Sequence, residues 1–212
     1  MKVVVAIDSL KGSLSSIEAG MAIRDGVLAA KPDAEVIVKP LADGGEGTTD
    51  ALIEGMNGKR IDLTVTGPMG TPVNAYYGYL ADSRTAVMEM ASAAGITLVP
   101  AAEKNPLLAT SFGVGEVMND ALQKGCRNFI IGIGGSATTD GGIGMLKALG
   151  VRFLDENGED AGEGGQALAK VTQIDVSGLN PLLKECHIQV ACDVNNPLCG
   201  ENGSTYVYGP QK

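Results

Sequence analysis

The chain has 212 residues, 44% apolar and 19% charged, with a formal net charge of −9; that balance belongs to a globular protein able to bury a core in one large or two small domains. Its 16 lysines and arginines form no cluster that could neutralise a nucleic-acid backbone, and no stretch reaches the apolar length of a bilayer span. Asp8 interrupts the opening apolar run well short of a signal-peptide core.

Residues 3–7, VVVAI, have the β-branched composition of a strand buried on both faces of a parallel sheet. That strand would deliver Asp8, Ser9, Lys11 and Ser13 to its carboxyl end, where open α/β sheets gather ligands. Ser15 and Glu18 have capping-box spacing and predict a helix over about 16–30, ending before Lys31-Pro32. A second strand over about 35–39 leads into Asp43-Gly44-Gly45-Glu46-Gly47-Thr48 and then a helix over about 49–56. From 60 to 90 the pattern changes to alternating segments with turns at 67–70 and 81–84, which predicts an antiparallel meander. Residues 91–106 are small and irregular, and a helix opens near Ser111 and runs to about Lys124, ended by Gly125.

The stretch 129–150 organises the rest. Phe129-Ile130-Ile131 reads as a buried strand, Met145, Leu146 and Leu149 recur at helical spacing, and between them lies a loop of Gly132, Gly134, Gly135, Ser136, Thr138, Thr139, Asp140, Gly141 and Gly142. Glycines permit positive φ and close approach, so that successive N–H groups can face an oxyanion near the positive end of a helix dipole. A turn without a ligand would need less side-chain chemistry than this one carries. Beyond it come a strand over 151–154, turn residues at 155–158, an acidic glycine-rich loop at 160–166, and a strand over 188–192 that delivers Asp193 and Asn195. The chain then stops on a glycine-proline loop with no helix or strand to close it, which reads as the front part of something longer. Four cysteines without a C-x-x-C pair and a single histidine, His187, argue against zinc and for reduced thiols in the cytoplasm. His187 itself, beside a strand, reads as structural.

Acidic strand ends at Asp8, Asp43, Asp140 and Asp193, glycine loops, and Lys11 at a strand end suit phosphoryl transfer, which needs carboxylates for magnesium, donors and a cation for phosphate, and a base on the acceptor hydroxyl. Each aspartate alone fits a cap or a turn equally well; their recurrence favours a site. The Walker loop is absent. Residues 132–137 satisfy G-x-G-x-x-A, with Asp155 about twenty residues on, so a nicotinamide-dependent oxidoreductase is a rival on spacing. Against it, Thr138-Thr139-Asp140-Gly141-Gly142 extends the loop where a cofactor-binding helix should already run.

DSLKGSLSS at 8–16, ADGGEGT at 42–48, TSFGVGE at 110–116, IGIGGSATTDGG at 131–142, ACDVNNPLCG at 191–200 and YGPQK at 208–212 resemble, in order along the whole chain, the signature blocks of the bacterial glycerate kinases. The resemblance implies a two-lobed α/β fold, one lobe Rossmann-like, truncated at its C-terminus relative to the family; the change of pattern after residue 60 sets the expected boundary near 64–68, with 1–66 the first segment of the Rossmann-like parallel-sheet lobe and 67–212 a second α/β lobe. It implies a cytoplasmic enzyme that transfers the γ-phosphoryl group of ATP, with Mg2+, to a hydroxyl of D-glycerate, without nucleic acid or membrane as partner and with a homo-oligomer left open. On this reading Asp8, Lys11, Asp43, Asp140 and Asp193 are catalytic, Asp140 and Asp193 hold metal, and Gly134, Gly135, Ser136, Thr138 and Thr139 bind an anionic group. Ser9, Ser13, Gly44, Gly45, Glu46, Gly47, Thr48 and Asn195 are substrate or phosphate contacts. Which aspartate is the base stays open, and a truncated fragment that binds anions without turnover is the alternative.

Overall fold

Strand β1 (Lys2–Ile7) pairs in parallel with β2 (Glu35–Pro40), Lys2 opposite Glu35 and Ile7 opposite Pro40. In the computed structural model residues 1–8, 10, 13–41 and 47–212 are described; Ser9, Lys11, Asp43, Gly44, Gly45 and Glu46 therefore lie outside the described residues. The crossover between the two strands is α1 (Ser16–Ala30). Its start is built as the spacing predicts: Ser15 Oγ accepts the Glu18 N–H at 3.2 Å and the Glu18 carboxylate accepts the Ser15 N–H at 2.9 Å. The expectation of a first strand buried on both faces is corrected, because Val5 is buried while Val4 is 60% exposed. Among the described residues this sheet has two strands, and α1 packs on one face of it.

After α2 (Thr48–Gly55), strands β3 (Lys59–Thr66), β4 (Pro72–Leu80) and β5 (Thr85–Glu89) form the expected antiparallel meander. The turns close through the Gly70 N–H on the Gly67 carbonyl and the Arg84 N–H on the Ala81 carbonyl. The short helix α3 (Ala91–Ala94) and the longer α4 (Phe112–Gln123) then lead to β6 (Asn128–Gly132). Helix α5 (Ile143–Ala148) is followed by an antiparallel pair, β7 (Arg152–Leu154) with β8 (Gln173–Asp175), and β9 (His187–Ala191) returns to the large sheet. Its order is β3-β4-β5-β6-β9, with β5, β6 and β9 parallel. β3 already pairs with β4, and α2 packs chiefly on β4 and β5. The last residues are not bare loop either: α6 (Ser204–Tyr208) and a 3-10 turn, Gly209–Gln211, follow β9. Among the described residues no helix is long and apolar enough to cross a membrane.

The core lies between the large sheet and α4. Val114, Val117, Met118, Ala121 and Leu122 on the helix bury against Tyr77, Ala86, Met88 and Phe129, and that apolar area removed from water is the main stabilising term. Two glycines of the TSFGVGE block are there for closeness: a Cβ at Gly113 would stand 2.1 Å from the Thr66 carbonyl oxygen, and one at Gly115 would stand 2.3 Å from that of Met145. They let the first turn of α4 sit directly on the end of β3 and on α5. Phe129 is 1% exposed, so Phe129→Ala is expected to cost about 3–5 kcal/mol of unfolding free energy, read as a lowered urea midpoint.

Candidate functional site

Three parallel strands of the large sheet end on one line, because Glu89 of β5 is registered against Gly132 of β6, which is registered against Ala191 of β9. Outside those carboxyl ends lie the Glu89 side chain, the loop 133–142, and Asp193 with Asn195. The carboxyl end of β1 presents Asp8 in the same way, half-buried beside the end of β2.

Glu89 was not among the expected residues, although a lone carboxylate closing the apolar run TAVME was the signal for it. Its side chain is 4% exposed and accepts the Thr49 N–H at 2.7 Å and the Gly47 N–H at 3.4 Å. Burial pushes its pKa above the usual carboxylate range, and the N–H groups of Thr49 and Gly47 hold back part of that rise. The first turn of α2 is thus capped from across the fold, by a carboxylate in place of the side-chain cap that Gly47 lacks. Thr48, an expected substrate contact, is 3% exposed as the first residue of that helix.

Asp140 does the same at a second place. Its carboxylate is 1% exposed and accepts four bonds: the Ser111 N–H and Oγ–H at 2.8 Å each, the Gly142 N–H at 2.9 Å and the Gly144 N–H at 3.2 Å. Ser111 precedes α4, and Gly142 and Gly144 open α5, so one carboxylate joins the starts of two helices. Thr138 is drawn in too, donating its hydroxyl to the Ala109 carbonyl at 2.6 Å and accepting the Asp140 N–H at 3.0 Å. These contacts make Asp140 and Thr138 organisers of the loop. At the start of α5 the Gly142 and Gly144 N–H groups are already given to the Asp140 carboxylate.

Thr139 points its hydroxyl toward the Pro106 carbonyl at 3.4 Å. Ser136 receives the ammonium of Lys212, whose Nζ also reaches the Thr138 carbonyl at 2.9 Å. Gly134 and Gly135 form a tight turn between Ile133 and Ser136, Gly135 at φ 71°, and their exposed N–H groups have no protein acceptor among the described residues. Asp193 and Asn195 are exposed beyond β9, and no hydrogen bond or ion pair joins them to the Asp140 cluster among the described residues. Ser13 is exposed in the segment before α1. A separate cleft of about 350 Å³, which the sequence did not suggest, is lined by Thr66, Met69, Leu108, Thr110, Phe112 and Glu163 beside the start of α4.

Two expectations can be weighed on this geometry. The dinucleotide fingerprint at 132–137 needs a helix to start inside it; instead the Ala137 N–H bonds the Ala94 carbonyl and α5 begins only at Ile143. For magnesium, no group of three metal-ligating side chains occurs among the described residues, and Asp140 fits poorly as a ligand because four protein donors already surround it. Asp193 fits better, since magnesium commonly needs only one or two carboxylates beside substrate phosphates.

Residues 3–212 match the model of the glycerate kinase family. The chain is 51% identical to the glycerate kinase of Bacillus subtilis strain 168 and 51% identical to the glycerate 2-kinase of Escherichia coli K12, covering all of this chain and 56% of each relative. It also superposes with a TM-score of 0.89, at 51% identity, on the crystal structure described as glycerate kinase 2 from Salmonella typhimurium LT2, again over 100% of this chain and 56% of that one. The chain therefore spans little more than half the length of these relatives.

Two outcomes are expected. Asp140→Asn should lower unfolding free energy by at least about 2 kcal/mol, because each orphaned buried donor costs ~1–3 kcal/mol; a variant with the wild-type urea midpoint would refute the capping role. For Glu89 the folded state holds the proton more tightly than the unfolded chain does at its ordinary pKa of 4.5. The stability it contributes is present below that value and is lost as pH rises through the raised folded pKa. Urea titrations from acid to neutral pH should show that loss in the wild type and a flatter profile in Glu89→Gln.

Proposed function

The chain belongs to the glycerate kinase family, and from that premise we propose that it forms part of an enzyme that transfers the γ-phosphoryl group of ATP to a hydroxyl of D-glycerate, giving phosphoglycerate. The observation that carries this reading is the common line on which β5, β6 and β9 end, which sets Glu89, the loop 133–142 and Asp193 at one edge of the sheet. Phosphoryl transfer asks a protein chiefly for positioning and for charge compensation, and these are what that edge offers.

The proposed roles are these. The N–H groups of Gly134 and Gly135 and the Ser136 hydroxyl would receive phosphoryl oxygens, in a loop fixed from behind by Thr138 and Asp140. Asp193, exposed beyond β9, would hold Mg2+. When bound, that ion would neutralise negative charge on the transferring group. Asp8, which follows β1, and Asp43, which comes three residues after β2 in the sequence, are the candidates for accepting the proton of the glycerate hydroxyl, and Lys11 follows Asp8 by three residues in the sequence. Asp140 moves from ligand to positioning residue. A two-lobed form with a Rossmann-like lobe, and a cytoplasmic setting, belong to the same proposal.

That the chain covers 56% of its relatives favours a second reading, in which the 212 residues bind the anion without turnover. ADP release from magnesium-ATP decides between the two. On the kinase reading release depends on D-glycerate and falls about 10²-fold in Asp193→Asn; no glycerate-dependent release by the wild-type chain selects the second reading, and full turnover in Asp193→Asn removes that residue from the mechanism.

A further inference from the structure

The loop 133–142 is met by a cation that neither its own motif nor the net charge singles out. Lys212 follows the 3-10 turn Gly209–Gln211 and places Nζ 2.5 Å from Ser136 Oγ and 2.9 Å from the Thr138 carbonyl oxygen. An ammonium has three N–H donors, so one remains. Among the described residues no carboxylate lies within ion-pair distance of it.

Lys147 shows what compensation looks like in the same molecule. Its Nζ is 2.9 Å from Asp160 and 2.6 Å from Glu163. Burial opposes its charge, yet the hydrogen bonds to Glu163 and Asp160 outweigh that and hold its pKa above the ordinary lysine value. For Lys212 burial wins: it pushes the pKa down, and Asp140, acting at longer range, offsets only part of the effect. A half-buried ammonium without a counter-ion is unfavourable, and it is bound to Ser136, the residue that follows the turn whose Gly134 and Gly135 N–H groups have no protein acceptor among the described residues. The loop's carbonyls, by contrast, are engaged: that of Gly132 accepts the Met90 N–H and that of Gly135 accepts the Ile96 N–H.

We propose that Lys212 and the N–H groups of Gly134 and Gly135 form one oxyanion subsite, and that its ligand is a phosphoryl group. Several donors arriving from more than one direction match the three oxygens of a phosphoryl group better than the two coplanar oxygens of a carboxylate. The assignment rests on the kinase reading for the source of the phosphoryl group, and it adds to that reading a cation from the far end of this sequence.

The test uses the 212-residue chain with sodium tripolyphosphate as probe, read by calorimetry, and by mass spectrometry of Lys212 acetylation with and without the probe. Lys212→Gln is expected to weaken binding about 10-fold or more, the worth of one charge-assisted hydrogen bond; Lys212→Arg should keep most of the affinity. Lys104→Gln serves as the control, because Lys104 is exposed and only approaches the Gln211 carbonyl at 3.5 Å. The probe should protect Lys212 from acetylation and D-glycerate should not. The subsite is overturned if the wild-type chain does not bind tripolyphosphate, if Lys212→Gln binds it unchanged, or if only D-glycerate protects, which would assign the place to a carboxylate. The kinase reading fails separately: tripolyphosphate binding that depends on Lys212, without glycerate-dependent ADP release, leaves the subsite standing, while turnover that Lys212→Gln leaves intact removes the subsite alone.

Discussion

The geometry of the site depends on how the Asp140 carboxylate is kept in the interior. A carboxylate this deeply buried is tolerable only when hydrogen-bond donors replace the water it has lost, and Asp140 collects four of them from the segments that begin α4 and α5. Those segments are distant in sequence, so the bonds fix the start of one helix against the other. Gly113 and Gly115 permit the same closeness, and substitution of either would push α4 away from β3 or from α5. The glycine-rich loop is thereby pinned at one end by β6 and at the other by a saturated charge. Its conformation is set before any ligand arrives, which is the preorganisation that electrostatic catalysis requires.

Glu89 repeats the device on α2, and together the two carboxylates change where an anion can bind. A helix start with open N–H groups attracts phosphate. Here the starts of α2, α4 and α5 are already met by the protein's own negative groups. What remains is the turn at 134–135, whose N–H groups have no protein acceptor among the described residues. On the proposal above, the glycine loop would act as a backbone cradle rather than as the approach to a helix dipole.

Local chemistry was readable in the sequence and remote chemistry was not. The capping box at Ser15 and Glu18 fixed the start of α1 because its partners are three residues apart, and alternation over 60–90 gave the meander because strand pairing follows the pleat. Burial of β1 was misjudged because a run such as VVVAI reports only its own composition, while exposure of Val4 depends on what is stacked above it. Asp140 and Asp193 look alike in sequence, each an aspartate in a loop after an apolar strand; Ser111 and two glycine N–H groups make the first a structural knot, and their absence leaves the second exposed. Glu89 was hidden by position, since its partners at 47 and 49 precede it by a whole hairpin and helix.

Charge compensation explains why so acidic a chain can offer a place for an anion. With a net charge of −9 the surface potential as a whole repels phosphate, so binding has to rest on local donors that outweigh the field at short range. Among the described residues eight basic side chains are already matched to carboxylates, as Lys147 is to Asp160 and Glu163, Arg127 to Glu185 and Lys124 to Asp120. At the loop the balance is reversed: the buried negative charge is satisfied from within, and the cation beside it is not. An incoming oxyanion there gains hydrogen bonds from a rigid cradle and displaces no protein carboxylate, whereas at Lys147 it would first have to compete with two.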